Sequence, residues 1–517
     1  MILTAHKHVT RTLQTLREIL PVSDRSRPQI IILSGEITGY RHDTDRELPF
    51  RQESNFHYLT GCDVPSSVLI AAHDAGASSG NDPTSDLFIP KAELADMMWS
   101  VPPPSIEEAR KTHDVTNVLH TTSFVATLEA LLRAMPGALV HTLPEDPPSF
   151  PQLPEEYTRA LSAAHKEFNF ATSDTYLIAA LQSTRLIKDE EEVKLMRQAN
   201  QISSKAHEVV MRILGKAKEA EAEAIFVASC RREGAVHQAY LPIVAASTRA
   251  STLHYCCNDR DFAWGPVKPH DHHNKDEFSH SGDKELLPQV LLIDAGCEWN
   301  CYASDITRTM PVGNGGKFTP EARAIYELVL EMQKESFNII RAGLHWDHVQ
   351  MICHRTLVRG FQRLGIFKTP DSPGSGSWNS EDAILASGVS AAFFPHGVGH
   401  SLGLDVHDVP TISRPPNNPT IPKIPVSHES FFTYLRLRLP LRAGMVATVE
   451  PGIYFSPHLL APIRGSRHID HEVLKRYESV GGVRIEDAVV VTDTACENLT
   501  TVRSDTDWVE GVCSGEI

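Results

Sequence analysis

The chain has 517 residues, more than a single hydrophobic core ordinarily spans, so at least two domains are expected. With 49 Lys+Arg against 65 Asp+Glu its formal charge is −16, which excludes the basic footprint of a dedicated nucleic-acid binder. A composition of 41% hydrophobic and 22% charged residues is that of an ordinary soluble protein and excludes global disorder, collagen and coiled coil. No stretch approaches the ~18 uninterrupted apolar residues of a membrane span. The first twenty residues scatter charges among apolar positions, as a short amphipathic helix does, and lack a secretory core. The nine cysteines contain no Cys-x-x-Cys pair, so neither a disulfide framework nor a structural zinc site is expected, and a cytoplasmic location follows.

In chain order, Ile30-Ile31-Ile32-Leu33 is an apolar run closed by Ser34-Gly35, which predicts a buried strand. Residues 67–72 and 86–90 predict two more, and residues 123–135 a helix. The Pro-rich stretch 143–154 reads as a linker or exposed loop. Asp189 and Glu192 form a capping-box pattern ahead of a long amphipathic helix whose apolar stripe runs Val193, Met196, Ala199, Ala206, Val210 and Ile213. The division therefore falls between about residues 158 and 188, giving domains at 1–170 and 185–517. Strands at 290–294, 444–451 and 483–492 and a helix at 320–342 make the second region α+β. Two polar insertions stand out, at 261–287 and 413–430.

Acidic residues recur where a core strand should be apolar. Asp294 ends Val290-Leu291-Leu292-Ile293, Glu450 ends an apolar strand at Pro451-Gly452, and Glu486 lies inside Val483-Arg484-Ile485-Glu486-Asp487-Ala488-Val489. Each carboxylate has its own ordinary explanation: a turn cap for Asp294, a turn or ion-pair residue at Asp305, pairing of Glu486 with Arg484. Several together ask for a shared cation, because an uncompensated buried charge is costly. His396 and His400 are four apart, but Pro395, Gly397 and Gly399 argue against a helix and for backbone in close approach to something. Two Asp, two Glu and one His make a hard, oxygen-rich donor set suited to two divalent ions such as manganese. Two such ions with a shared activated hydroxide suit amide hydrolysis without a covalent intermediate.

These segments, in this order, resemble the pita-bread metallopeptidases, the family of aminopeptidase P, prolidase and methionine aminopeptidase. Asp-Ala-Gly-Cys-Glu-Trp followed by Ser-Asp-Ile-Thr-Arg-Thr is similar to the family's two-aspartate hairpin, with eleven residues from Asp294 to Asp305. His-Gly-Val-Gly-His, Glu-Pro-Gly-Ile-Tyr and Val-Arg-Ile-Glu-Asp resemble its remaining motifs. The resemblance implies a C-terminal pita-bread (creatinase/aminopeptidase-like) catalytic domain behind a smaller α/β N-terminal domain. It implies metal ligation by Asp294, Asp305, His400, Glu450 and Glu486, with Asp305 and Glu486 bridging. It further implies catalytic roles for His254, His396, His407 and Glu450, the last as a proton shuttle, with Arg484 behind the ligands.

The stretch ending Phe56-His57-Tyr58-Leu59-Thr60-Gly61 resembles the N-terminal domain of aminopeptidase P and prolidase, which methionine aminopeptidases lack. The expected activity is therefore that of an Xaa-Pro aminopeptidase holding two Mn²⁺ ions, acting on peptides with proline second and forming a homodimer or homotetramer. The alternatives are a prolidase restricted to Xaa-Pro dipeptides and a catalytically dead peptide-binding module. Neither nucleic acid nor membrane is an expected partner. The tract Pro269-His270-Asp271-His272-His273 is expected to be a solvated loop, not a further metal site. Arg436, Arg438 and Arg442 lie near where relatives place a substrate-contacting arginine, in a shifted register.

Overall fold

In the computed structural model, which describes residues 3–74, 82–146, 149–213, 218–267, 284–423 and 425–517, the run Ile30-Ile31-Ile32-Leu33 lies within β1 (Gln29–Ser34). The chain divides into two units, Met1–Glu192 and Val193–Ile517. In the first, β1 is joined by β2 (Val68–His73), β3 (Thr84–Ile89), β4 (Asn117–His120), β5 (Ala138–His141) and β6 (Phe170–Ser173) in a six-stranded sheet of order β4-β3-β2-β1-β5-β6. β1 pairs antiparallel with β2 and parallel with β5, so the sheet is mixed. All six residues of β1 are buried, which explains its unbroken apolar reading where a half-solvated strand would alternate.

The helix Phe124–Ala134 turns Phe124, Leu128 and Leu132, four apart, against Ile30, Ile32 and Val140. The amphipathic N-terminal helix spans Ala5–Ile19 and buries Val9, Leu13 and Leu16. The Asp189–Glu192 capping box is present: the Glu192 amide donates to Asp189 Oδ1 at 3.0 Å and the Asp189 amide to Glu192 Oε2 at 2.8 Å. The helix it opens runs Glu190–Ile213.

The second unit is a set of small sheets. β7 (Ile243–Ala246) and β13 (Thr307–Val312) flank β10 (Gln289–Asp294), both antiparallel to it. Between β7 and β10, β8 (Trp264–Val267) pairs with β9 (Lys284–Leu286). Residues 268–283, including the tract Pro269-His270-Asp271-His272-His273, lie outside the described residues. β11 (Glu298–Trp299) and β12 (Tyr302–Ala303) form a short hairpin between β10 and β13. Helices Pro320–Ile339 and Asp347–Arg363 pack against each other.

The first Glu-bearing strand ends ahead of Pro451 as expected, whereas the second is broken where one continuous run was predicted. The first is β14 (Val446–Val449) then β15 (Gly452–Tyr454), and the second is β16 (Gly482–Arg484) then β17 (Asp487–Val491). β14 pairs with β17 and β15 with β16, so both strands change sheets at the same level. β18 (Cys496–Asn498) borders β17. Pro451, which has no amide hydrogen for a ladder, forces the first break, and the second lies opposite it, with the Ile485 amide donating to Pro451 O. Glu450 and Glu486 sit at these two breaks, where the change of sheet lets each backbone pair with another segment, Glu450 with Val398 and Glu486 with Thr307.

Candidate metal centre and active site

Asp294 is the last residue of β10, and Thr307 opposite it is the first of β13. That register sets Asp305, two residues before Thr307, beside Asp294. Gly296 makes the turn possible: a Cβ there would lie 1.9 Å from Ser304 O. An isolated bridge couples Thr307 to Glu486, whose Oε2 accepts from the Thr307 hydroxyl at 2.7 Å. The strand break at Glu486 is therefore held against the aspartate hairpin.

The histidine segment is non-helical, as its glycines require. It runs beside β14: the Thr448 amide donates to His400 O at 3.0 Å and the Glu450 amide to Val398 O at 2.8 Å. A Cβ on Gly399 would sit 2.0 Å from Thr448 O, and one on Gly397 2.9 Å from the Leu435 Cα. These contacts are the close backbone approach that the glycine spacing predicted.

His400 Nδ1 lies 3.1 Å from Ser401 O and donates to it, which leaves the Nε2 lone pair pointing inward. Nε2 is 3.3 Å from Asp305 Oδ2 and 3.6 Å from Glu450 Oε1. Ligand atoms of Asp305, His400 and Glu486, all buried, lie within 4.8 Å of one another. Asp294 joins the group through Tyr240, whose hydroxyl is 2.5 Å from Oδ1 of both Asp294 and Asp305. All five predicted ligands are thus brought together.

The charges do not balance without a cation. Burial first, then the Asp294 charge, pushes the Asp305 carboxyl well above the usual carboxylate range; burial and Asp305 do the same to Glu486, and burial and Glu486 to Glu450. The cation among these carboxylates is Arg484, and it serves one of them: Nη2 donates to Asp294 Oδ2 at 2.6 Å, Nη1 to the Tyr454 hydroxyl at 2.9 Å and Nε to Thr307 Oγ1 at 3.2 Å. The expected Arg484–Glu486 pair does not form, because the strand breaks between them. A cluster of four carboxylates, an inward imidazole lone pair and one committed arginine is the donor chemistry of a divalent-cation site.

The other predicted residues surround this cluster. His396 Nε2 is 2.8 Å from the Tyr454 hydroxyl and its Nδ1 donates to Gly397 O at 2.8 Å. The His407 ring stands edge-on to His400 with centroids 4.5 Å apart. Burial, then the Arg484 charge, holds His396 down to about 3, and burial with His400 and Arg436 holds His407 to about 3, so both are neutral. His254 is exposed and close enough for its charge to act on both rings. Arg438 is committed elsewhere, forking onto Asp347 at 3.1 and 2.5 Å, while Arg436 and Arg442 are exposed.

Tyr240 and Thr307 escaped the sequence reading. Each is an ordinary residue in its local stretch, and only the pairing of Ile243 and Thr307 opposite Asp294 reveals its role.

Residues 194–493 match the profile described as Metallopeptidase family M24, and residues 6–140 that described as Aminopeptidase P, N-terminal domain. A protein named probable Xaa-Pro aminopeptidase from Paracoccidioides brasiliensis is 41% identical over 479 residues, covering 91% of this chain and 89% of its own. A protein of the same name from Podospora anserina is 39% identical over 511 residues, covering 98% and 96%. Among solved structures, the low-pH form of aminopeptidase P from E. coli superposes with a TM-score of 0.72 at 26% identity, covering 99% of this chain and 98% of that one. Proline aminopeptidase P II from Yersinia pestis gives 0.70 at 27%, covering 98% and 99%.

Proposed function

The chain belongs to metallopeptidase family M24, with an aminopeptidase P N-terminal domain, and on that premise we propose that it hydrolyses the bond between an N-terminal residue and a penultimate proline. The observation that carries the reading is the meeting of Asp305, His400 and Glu486 within 4.8 Å in a buried, cation-deficient cluster. In this reading Asp294, Asp305, His400, Glu450 and Glu486 would hold two divalent ions, with Asp305 and Glu486 shared between them. When bound, such a pair supplies Lewis acidity and lowers the pKa of water enough to make a nucleophile at neutral pH. We take the ions to be Mn²⁺ because the donors are mainly carboxylate oxygens.

The chain's own groups do the remaining work. Glu450 is the most exposed of these metal-facing carboxylates for which exposure decides a role, at 17% of its side chain against 7% for Asp305, so it is placed to pass a proton between solvent side and reacting bond. Its Oε2 is 3.7 Å from His396 Nδ1. His407, neutral, can donate a hydrogen bond to the substrate carbonyl without adding charge, His396 positions the Tyr454 hydroxyl beside the site through its Nε2, and His254 faces the bound peptide. Arg484 fixes Asp294 and Tyr454 through one planar guanidinium.

No helix among the described residues is long and apolar enough to cross a membrane. We place the enzyme in the cytoplasm as a homo-oligomer, with domain limits at 1–170 and 185–517. The deciding assay is cleavage of Arg-Pro-Pro and Gly-Pro by the metal-free and Mn²⁺-loaded protein. Release of arginine from the tripeptide in the loaded protein supports the reading; cleavage of Gly-Pro alone makes the protein a dipeptide-specific prolidase, and cleavage of neither overturns both.

A further inference from the structure

The insertion at 413–430 has no part in the metal chemistry, yet it builds a cavity. The helix Pro410–Ser413 leads into it and a 3₁₀ stretch, Val426–Phe432, closes it. The space between measures about 410 Å³ and is lined by Arg414, Ile421, Pro422, Glu429, Phe432 and Arg438, with Thr433.

Its charged lining is Arg414, Arg438 and Glu429. In a chain of net charge −16, three guanidinium groups, Arg414, Arg436 and Arg438, lie close enough for the charges of the last two to act on the first. Arg438 is spent on Asp347 and stands over the Phe432 ring, 4.9 Å from its centroid. Arg414 uses Nη1 on Thr433 O at 3.0 Å. Among the described residues neither Arg414 nor Arg436 has a carboxylate partner. Burial, then the Arg438 charge, pulls Arg414 below its usual value, with Asp347 acting the other way.

The cavity adjoins the histidine segment of the active site. The Ser413 and Ser401 hydroxyls are 2.7 Å apart, and Ser401 follows the inward-facing His400. Arg436 is exposed and close enough for its charge to act on Arg414. Apolar walls from Ile421, Pro422 and Phe432 suit a peptide side chain, and the free donors of Arg414 suit a carboxylate.

We propose that this cavity is a distal subsite in which Arg414 receives a carboxylate of the substrate peptide downstream of its proline. The inference rests on the Xaa-Pro aminopeptidase reading and deepens it. The carboxylate is either the peptide's C-terminus or an acidic side chain, and each extended residue moves it by about 3.3–3.6 Å. The test compares Arg-Pro-(Ala)n peptides of rising length as free acids and as C-terminal amides, together with amides carrying Asp at each downstream position. Wild-type and Arg414→Ala proteins are assayed, all with Mn²⁺.

At one length the free acid is expected to exceed its amide in kcat/KM by about three- to tenfold, the size of a partly solvated charged contact. The gain should lie in KM and shrink with added salt. Recovery of the gain by an Asp-bearing amide identifies a side-chain carboxylate, and its absence a terminal one. Arg414→Ala should erase the acid–amide difference while leaving Arg-Pro-Pro-amide cleavage unchanged. Equal rates for acid and amide at every length, or a difference that survives Arg414→Ala, overturns the subsite. Failure of the wild-type protein to cut any Xaa-Pro bond overturns the parent reading instead, so the two failures are distinct.

Discussion

Replacing Gly399 by alanine tests how the active site is assembled. The added Cβ would meet Thr448 O at 2.0 Å, Thr448 C at 2.9 Å and a Trp346 ring carbon at 3.0 Å. An ordinary carbon–oxygen contact is about 3.3 Å or more, so the histidine segment must retreat from β14 by about 1.3 Å. The Thr448 amide bond to His400 O and the Glu450 amide bond to Val398 O, now 3.0 and 2.8 Å, cannot both survive that shift. Overpacking costs about 1–3 kcal/mol. Two weakened backbone hydrogen bonds add about 0.5–1.5 kcal/mol each, so the domain should lose about 2–6 kcal/mol. The same movement takes His400 away from Asp305 and Glu450, and metal affinity should fall with it. Thermal melting with and without Mn²⁺, paired with metal analysis, reads both effects. A Gly399→Ala protein with wild-type Tm, metal content and Xaa-Pro cleavage would refute the reasoning.

Tyr240→Phe removes a hydroxyl 2.5 Å from each aspartate; metal affinity should fall about 10- to 100-fold in chelator competition, with the far-UV spectrum unchanged. Asp305→Asn should abolish metal retention and cleavage. Because it relieves crowding among acids, it should also raise the Tm of the metal-free protein at pH 8 by about 2–4 °C, while the order reverses with Mn²⁺. In the N-terminal unit, burial and the nearby Arg27 hold His141 down to about 4, and its Nε2–H donates to Gln29 Oε1 at 2.7 Å. A histidine buried neutral stabilises the fold fully above its unfolded value of about 6.5 and loses that contribution as pH falls from there to about 4. Between pH 7 and pH 5 the loss should be about 2 kcal/mol, and His141→Gln should flatten it in urea titrations at those two values.

Four of the five inward ligands were legible because each breaks a local rule, while Asp305 reads as an ordinary turn residue and was reached through the resemblance. Asp294, Glu450 and Glu486 are acids in apolar strands, and the glycines about His400 rule out a helix where the spacing alone allows one. The fold of the first unit was legible for a related reason: β1 and β2 are buried on both faces, so their apolar runs are unbroken. What the chain hides is register. Val483 to Val491 reads as one strand, since nothing in its composition records that Pro451 of the neighbouring strand forces a change of sheet opposite Glu486. Tyr240 and Thr307 are likewise ordinary until β7 and β13 are aligned on β10, and the pairing of Arg484 with Asp294 joins residues 190 apart in sequence. Arg414 could not be singled out among the arginines of its region, because nothing in its local sequence records that it lines a cavity with Phe432 and Arg438.

The most direct test is a metal count by anomalous diffraction at the manganese edge, on the wild-type protein and on Glu486→Gln. The account predicts two ions per chain in the wild-type protein, within ligand distance of Asp294, Asp305, His400, Glu450 and Glu486, and their loss in the variant together with cleavage of Arg-Pro-Pro. Full cleavage by protein stripped of metal, or ions bound away from these five side chains, would contradict it.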